Sequence, residues 1–135
     1  MRAFVLHPQL AADTHLVTAL PLCDVRLMDD AHHPWLVLVP RIAGAVEMID
    51  LTEAQRTHLR REIDQVAAAL RKAVQPDKLN IATLGNMVQQ LHVHVIARYR
   101  NDVAWPKPVW GAAPALPYDA SAREERIAAL AAAIC

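Results

Sequence analysis

The stretch QLHVHVIARY, residues 90–99, decides the fold of this 135-residue chain. Its alternation of polar and apolar side chains predicts a half-buried β-strand, because successive side chains of a strand point to opposite faces. Gln90, His92 and His94 are therefore expected to share one face of a sheet. The other face would pack under a helix and consists of Leu91, Val93 and Val95.

Short Val- and Leu-rich segments lie on the N-terminal side of this strand. Residues 15–20, 23–28 and 35–39 are separated by turn-forming Pro and Asp, which predicts three strands. The run 35–39, WLVLV, is apolar throughout, which is typical of a central strand covered on both faces. Residues 78–85, KLNIATLG, predict a further strand at hairpin distance from residues 90–99.

Two helices are expected as well. At the start of a long helix, which Pro76 would end, two pairs have the spacing of a capping box: Asp50 with Glu53, and Thr52 with Gln55. Its apolar side chains recur on one helical face: Leu59, Ile63, Val66 and Leu70. Ser121 and Glu124 have the same capping spacing before a C-terminal helix. The element order indicates an α+β fold with an antiparallel sheet of about five strands.

The composition of the whole chain excludes several classes of protein. The 14 basic and 14 acidic residues balance, which argues against a nucleic-acid polymer or a membrane surface as partner. The opening MRAFVLHPQL lacks the apolar core of a signal peptide, so we expect a cytoplasmic protein. Cys23 and Cys135 form no CxxC motif. With neither repeat nor linker, residues 1–135 are expected to form a single domain.

Three interpretations compete for the polar face of the histidine strand. It could be a solvated sheet face, or a metal site in which His-x-His supplies two imidazole ligands. A cupin-like metal site would also need a Glu shortly afterwards, and residues 96–100 hold none. The third interpretation is phosphoryl chemistry, because a neutral imidazole is a competent nucleophile when a hydrogen bond fixes its tautomer. A neighbouring His or Gln could stabilise the charge on the phosphate.

The motif QLHVHVI resembles the signature of the histidine triad (HIT) superfamily, in which three histidines alternate with apolar residues. WLVLVPR is similar to the family's strand that ends in Pro before the long helix, and the element order agrees over residues 14–105. The resemblance implies that His92 attacks the α-phosphorus of a nucleotide conjugate and forms a covalent nucleotidyl-histidine. His94 would bind the phosphate and assist the leaving group. The resemblance implies no metal and no other cofactor.

Two positions depart from the family's pattern. Gln90 stands at the first histidine of the motif, where it can form hydrogen bonds but cannot carry a proton. The family orients its nucleophile partly through a backbone carbonyl near this position, so we expect the change to be tolerated. Trp35, a candidate nucleotide-binding residue, stands where the family usually has another His, which puts leaving-group protonation in doubt. His32 and His33 could substitute, although ordinary loop polarity also explains them.

Further site residues are implied by the same resemblance. Asp29 or Asp30 lies where the family binds ribose hydroxyls, and Asn86 lies where it presents polar groups to phosphate. Each of the three could instead serve a turn. Trp105 and Trp110 in the Pro-rich tail could line the site, reach a partner subunit or simply be buried.

The sequence thus supports two function classes. The first is a nucleotide hydrolase or transferase acting on dinucleoside polyphosphates, nucleoside phosphoramidates or similar adenylyl conjugates. The second is a nucleotide-binding protein with little or no catalytic activity. The resemblance also implies a homodimer in which the sheets of two subunits join. The enzymatic interpretation depends on one geometric expectation, namely that His92 faces an open, ligand-sized cavity.

Overall fold

The computed structural model describes residues 3–135, in which it contains three α-helices and one five-stranded sheet. In chain order the elements are α1 (Pro8–Asp13), β1 (Thr14–Ala19), β2 (Cys23–Met28), β3 (Trp35–Pro40), α2 (Glu53–Val74), β4 (Lys78–Ala82), β5 (Val93–Arg98) and α3 (Ala120–Ile134). The strands lie in the order β1-β2-β3-β5-β4, each antiparallel to its neighbours. The predicted α+β fold, with about five strands, a long helix and a C-terminal helix, is confirmed.

Helices α2 and α3 cover one face of the sheet. Of the two capping boxes predicted for α2, the second is present, since Thr52 and Gln55 exchange side chain to backbone hydrogen bonds of 2.8 and 3.2 Å. Asp50 instead pairs with Glu47 in the preceding turn, so the box of Asp50 with Glu53 is wrong. The predicted apolar stripe of α2 packs on the sheet together with Leu91, Val93 and Val95. Burying each such side chain contributes about 1.5–3 kcal/mol. None of the helices in residues 3–135 has the length and apolar character needed to cross a membrane.

Helix α3 begins at a different cap from the one predicted. Asp119 is the N-cap, and its Oδ1 accepts a hydrogen bond of 2.8 Å from the Ala122 N–H. Ser121 lies inside the first turn, so the predicted capping box is wrong. A contact between distant parts of the chain explains the difference, because the Tyr118 N–H is anchored to the Asp29 carboxylate immediately before the cap.

The second face of the sheet is covered as well, by segments without strands. The N-terminal arm, which we define as residues 4–13, contains α1 and packs its apolar side chains against the sheet. The Pro-rich segment between β5 and α3 adds Val109 to the same cluster. The cluster comprises Phe4, Leu6, Leu10, Met28, Trp35, Val37, Val39, Val88, Ile96 and Val109. Strand β5 is therefore buried on both faces, and the expectation of a half-buried strand is wrong.

The predicted histidine strand is confirmed only in its second part. It begins at Val93, because the main chain just before it bonds to a loop instead of to β3. The Leu91 N–H donates to the Ala45 carbonyl at 3.0 Å. Gln90 and His92 consequently lie in the loop that leads into β5, where strand alternation does not fix the direction of their side chains.

Strand β4 lies at one edge of the sheet, paired with β5 as the predicted hairpin requires. It ends at Ala82 rather than at residue 85. Gly85 follows with a positive φ of 75°, a conformation that turns use and strands do not. Within residues 3–135 no strand pairs with the outer edge of β4, so its unpaired backbone groups can accept another strand.

Candidate active site

Two imidazoles lie together at the start of β5. The ring centroids of His92 and His94 are 4.9 Å apart, and the two residues are only 7% and 4% exposed. His92 Nδ1 lies 2.6 Å from the backbone carbonyl oxygen of Gln90. Because a carbonyl can only accept, Nδ1 of His92 carries a proton, and in the neutral form of the ring Nε2 holds a free lone pair. This is the backbone orientation of the nucleophile that the family resemblance implies.

His94 is held in the other tautomer by Trp35. The Trp35 Nε1–H donates to His94 Nδ1 at 3.0 Å, and both side chains are buried. Since an indole nitrogen can only donate, Nδ1 of His94 is unprotonated and its neutral ring carries the proton on Nε2. Burial, with a smaller contribution from positive charge on His92, lowers the pKa of His94 to about 4. Near neutral pH His94 is therefore an uncharged hydrogen-bond donor.

Trp110 completes an aromatic wall around His94. Its ring centroid lies 5.0 Å from that of His94, and the Trp35 centroid lies 5.7 Å from both. Trp105, the other tail tryptophan, instead stacks on the guanidinium of Arg98, at 5.6 Å. Of the two tail tryptophans that could line the site, only Trp110 contacts the histidine pair in this way.

The side chain of Gln90 binds the N-terminal arm. Its Oε1 accepts from the His7 N–H at 2.8 Å, and its Nε2 donates to the Val5 carbonyl at 2.9 Å. Both ends of the amide are thus engaged by backbone groups. In this arrangement the contribution of Gln90 to His92 is its own carbonyl, and the contact of its amide with phosphate stays a prediction.

A cavity of about 420 Å³ opens next to Trp35 and Trp110, which is within the range of roughly 300–1,000 Å³ seen for small-molecule sites. Three carboxylates border it, those of Asp13, Asp29 and Asp30. The remaining lining residues are Ala12, Met28, Val109, Gly111, Ala113, Ala115 and Pro117. None of these lining residues is basic, so the cavity suits an apolar, hydroxyl-bearing part of a ligand better than a phosphate.

Asp29 and Asp30 brace the C-terminal segment beside this cavity. Oδ1 of Asp29 accepts from the Tyr118 N–H at 3.0 Å. Oδ1 of Asp30 accepts from the N–H groups of His32 and Leu116 at 3.0 and 3.3 Å. Asp30 therefore serves a local turn as well as a distant segment, whereas Asp29 binds only the distant Tyr118 backbone in these contacts. Both carboxylates also border the cavity, so binding a ligand there stays a prediction.

The expectation that His92 itself faces a ligand-sized cavity is wrong. The hollow that His92 lines has a volume of about 20 Å³, which is room for roughly one water molecule. The physical reason is the covered second face of the sheet, where Trp35 and Trp110 pack against His94. The cavity of about 420 Å³ is lined by these two indoles, which in turn contact His94.

A buried charged network next to Trp35 was not predicted. Arg98 is 1% exposed and forms a bidentate salt bridge of 2.9 and 3.1 Å to Asp102. Asn80 accepts a further bond from Arg98 at 2.8 Å. His33 Nδ1 lies 3.8 Å from Asp102, and burial lowers the pKa of His33. Loop polarity is therefore the wrong explanation of His33. The sequence feature that could have indicated this network is Arg98, a charged residue at the end of an apolar strand.

The remaining candidates lie apart from the histidine pair. Asn86 is exposed in the loop between β4 and β5 and is not among the residues that line the hollow at His92. Cys23 is buried and Cys135 exposed, and neither forms a disulfide. In residues 3–135 no group of three or more His, Cys, Asp or Glu side chains could hold a metal ion.

Comparison with known proteins identifies the family. The model of the HIT domain matches residues 9–101. A histidine triad protein from Bradyrhizobium japonicum is 49% identical over 99% of this chain and 100% of that chain, with a TM-score of 0.97. One from Marinobacter aquaeolei VT8 is 43% identical over 98% and 97%, with a TM-score of 0.96. One from Sinorhizobium meliloti 1021 is 43% identical over 94% of each chain, with a TM-score of 0.92.

A search of curated proteins found no match. The family model nevertheless covers most of the chain, and the three bacterial structures share nearly all of its length and fold. The chain therefore belongs to the histidine triad family of HIT-domain proteins.

Proposed function

We propose that this protein is a nucleotide hydrolase or transferase that acts at the α-phosphate of nucleotide conjugates. Membership of the HIT family supports a function on nucleotides in general. The observation that carries the proposal is the tautomer of His92, whose Nδ1 is bonded to the Gln90 carbonyl and whose Nε2 holds a free lone pair. Dinucleoside polyphosphates, nucleoside phosphoramidates and similar adenylyl conjugates are the candidate substrates.

The chemistry would proceed in two displacements. His92 Nε2 forms a bond to the α-phosphorus while the bond to the leaving group breaks, and the electron pair departs with that group. His94 donates its Nε2–H to a phosphate oxygen and stabilises the developing charge, an effect worth about 3–4 kcal/mol in comparable sites. Water or another acceptor then attacks phosphorus, and the P–N bond breaks to return His92.

The cavity beside the tryptophans would hold the nucleoside. Its apolar lining suits a base, and the carboxylates of Asp29 and Asp30 can accept hydrogen bonds from ribose hydroxyls. Trp35 and Trp110 separate this cavity from the imidazoles. Trp110 is 38% exposed in a segment without helix or strand, and the proposal requires its side chain to swing aside when a substrate binds.

The test is to trap the covalent intermediate. The wild-type protein is mixed with an adenylyl conjugate, denatured without acid and analysed by mass spectrometry for an added nucleotidyl group on His92. His92→Ala should lose the adduct and lower turnover about a thousandfold or more. His58→Ala, at a half-exposed position of α2, is the control; it removes a histidine whose contact is with Glu62, and it should keep the wild-type adduct and turnover. Equal turnover by the His92→Ala variant would rule the mechanism out.

A second candidate function is nucleotide binding without efficient catalysis. The small hollow at His92 favours it, because a volume of about 20 Å³ is less than a phosphate group needs. It predicts that AMP binds in calorimetry and quenches Trp110 fluorescence while adenylyl conjugates persist. Rapid turnover of a panel of such conjugates would exclude this candidate.

A homodimer is the proposed assembly. The family resemblance implies sheets joined across two subunits, and the free outer edge of β4 supports it. The balanced charge of the chain supports a small-molecule partner rather than a nucleic-acid polymer or a membrane.

A further inference from the structure

One hydrogen bond between neighbouring strands limits the proton chemistry of this site. The indole of Trp35 on β3 donates to Nδ1 of His94 on β5 at 3.0 Å. Both groups are buried, so breaking the bond would leave a polar atom unsatisfied away from water, which is unfavourable. The bond therefore holds His94 neutral, with its only proton on Nε2.

No other group packed around His94 can supply a proton near neutral pH. The rings that face it belong to His92, Trp35 and Trp110. Its partners on the neighbouring strands are Val37 on β3 and Ala82 on β4. Tryptophan, valine and alanine are not acids, and His92 is occupied by the phosphorus once it has attacked.

The next titratable groups lie beyond the tryptophan. The centroid of His33 is 6.4 Å from that of Trp35, and its Nδ1 faces the Asp102 carboxylate at 3.8 Å. Asp102 is in turn bound by Arg98. Asp102 also accepts from three backbone N–H groups, and His33 is only 2% exposed, so neither gives the leaving group a direct donor.

We propose that the site cleaves nucleotide conjugates whose leaving group departs as a stable anion, such as a polyphosphate or a carboxylate, and is slow on phosphoramidates and alkyl esters. This inference rests on the proposed function and narrows its substrate class. In the first step the P–O bond breaks as His92 Nε2 bonds to phosphorus, and the electron pair stays on the leaving oxygen, which needs no proton. An amine would need one, and removing the Nε2 proton of His94 would create a buried imidazolate.

The second displacement likewise needs no proton from the protein. The oxygen of a water molecule bonds to phosphorus, the P–N bond breaks, and the electron pair returns to His92 Nε2. The surplus proton of the water passes to solvent. Neither step calls on His94 to give up its proton, so a site without an acid is sufficient for anhydrides.

The test is a series of AMP aryl esters that differ only in the acidity of the phenol. The wild-type kcat/KM should fall by about 100-fold or more from the nitrophenyl to the phenyl ester, the range that a missing general acid costs. Adenosine phosphoramidate should be slower still. Trp35→His, which places a titratable ring at the same position, should flatten the dependence.

The outcomes separate the two proposals. Equal rates on the nitrophenyl ester and the phosphoramidate would overturn the leaving-group inference and leave the proposed function standing. Turnover of none of these compounds would overturn both.

A second measurement is independent of activity. Nitrogen-15 spectra of the labelled wild-type protein should show His94 as the Nε2–H tautomer near neutral pH. Trp35→Phe keeps an aromatic ring but removes the donor, so the Nδ1–H form should become populated. Trp105→Phe, which removes the indole that stacks on Arg98 instead, is the control and should leave the tautomer unchanged. If the wild-type spectrum showed His94 protonated on Nδ1, the proposal that Trp35 fixes the His94 tautomer would be refuted, even if Trp35→Phe failed to fold.

Discussion

At the scale of single residues, two hydrogen bonds of opposite direction differentiate the adjacent imidazoles. The Gln90 carbonyl accepts from His92, and the Trp35 indole donates to His94. One ring consequently offers a lone pair, and its neighbour offers an N–H. This is the asymmetry that nucleophilic attack on a phosphate requires, since the nucleophile needs electrons and the phosphate oxygens need a donor.

His94 should make stability depend on acidity. Its pKa is about 4 in the folded protein and 6.5 when unperturbed, so between these values the unfolded chain binds more protons. Stability should fall as the pH drops through this window, by at most about 3 kcal/mol, and stay constant just above it. Urea unfolding of the wild type and of His94→Asn at several pH values measures the effect. The variant should show a shallower slope; parallel slopes would contradict the assignment.

At the scale of elements, the N-terminal arm and the Pro-rich segment turn an open sheet face into a second core. The arm packs Leu10 onto that core, and the Gln90 amide holds the arm by two backbone bonds. The Arg98–Asp102 salt bridge likewise fixes the turn after β5. Burial alone would raise the pKa of Asp102, but hydrogen bonds from Arg98 and from backbone N–H groups hold that pKa well below its usual range. These contacts position the aromatic wall beside His94.

Gln90→Ala should loosen the N-terminal arm without unfolding the face of the sheet that α2 and α3 cover. The variant removes both bonds to the arm, so the amide of His7 should exchange its hydrogen at least several-fold faster, and global stability should fall by about 1 kcal/mol. Hydrogen-exchange mass spectrometry of the first residues measures this, with α2 as the internal reference. Gln89→Ala, at the exposed neighbouring position, is the control. Unchanged exchange in the Gln90 variant would show that the amide does not hold the arm.

At the scale of the whole molecule, the sheet presents two edge strands of different character. Strand β4 leaves its outer edge open beside a groove of about 650 Å³ that Pro106, Pro108 and Trp110 also line. Strand β1 forms the other edge and contacts α3. A second subunit on β4 would thus lie next to the aromatic wall, because Trp110 lines both the groove and the cavity of about 420 Å³.

Light scattering after size exclusion tests the proposed dimer. The wild type should have twice the mass of the chain, and Ile81→Lys on β4 should shift it toward the monomer by placing a charge in the joined sheet. Leu16→Lys on β1 is the matched control, since the two side chains are 48% and 51% exposed. A monomeric wild type, or equal effects of both variants, would exclude an interface at β4.

The sequence by itself determined the strands, the long helix and the presence of two adjacent histidines. The alternation along β5 and the apolar stripe of α2 indicate which side chains are buried, and both patterns are visible within a short stretch of sequence. The Pro-rich segment and the arm show no such period, so the covered second face and the small hollow at His92 could not be predicted.

Only the tertiary structure decided the chemistry of the site. The partners Trp35 and His94 are 59 residues apart in the chain, and His7 and Gln90 are 83 residues apart. Periodicity places a side chain on a face of an element, whereas a tautomer depends on which donor or acceptor from a remote segment reaches the ring within about 3 Å. The packing of the whole chain sets that distance.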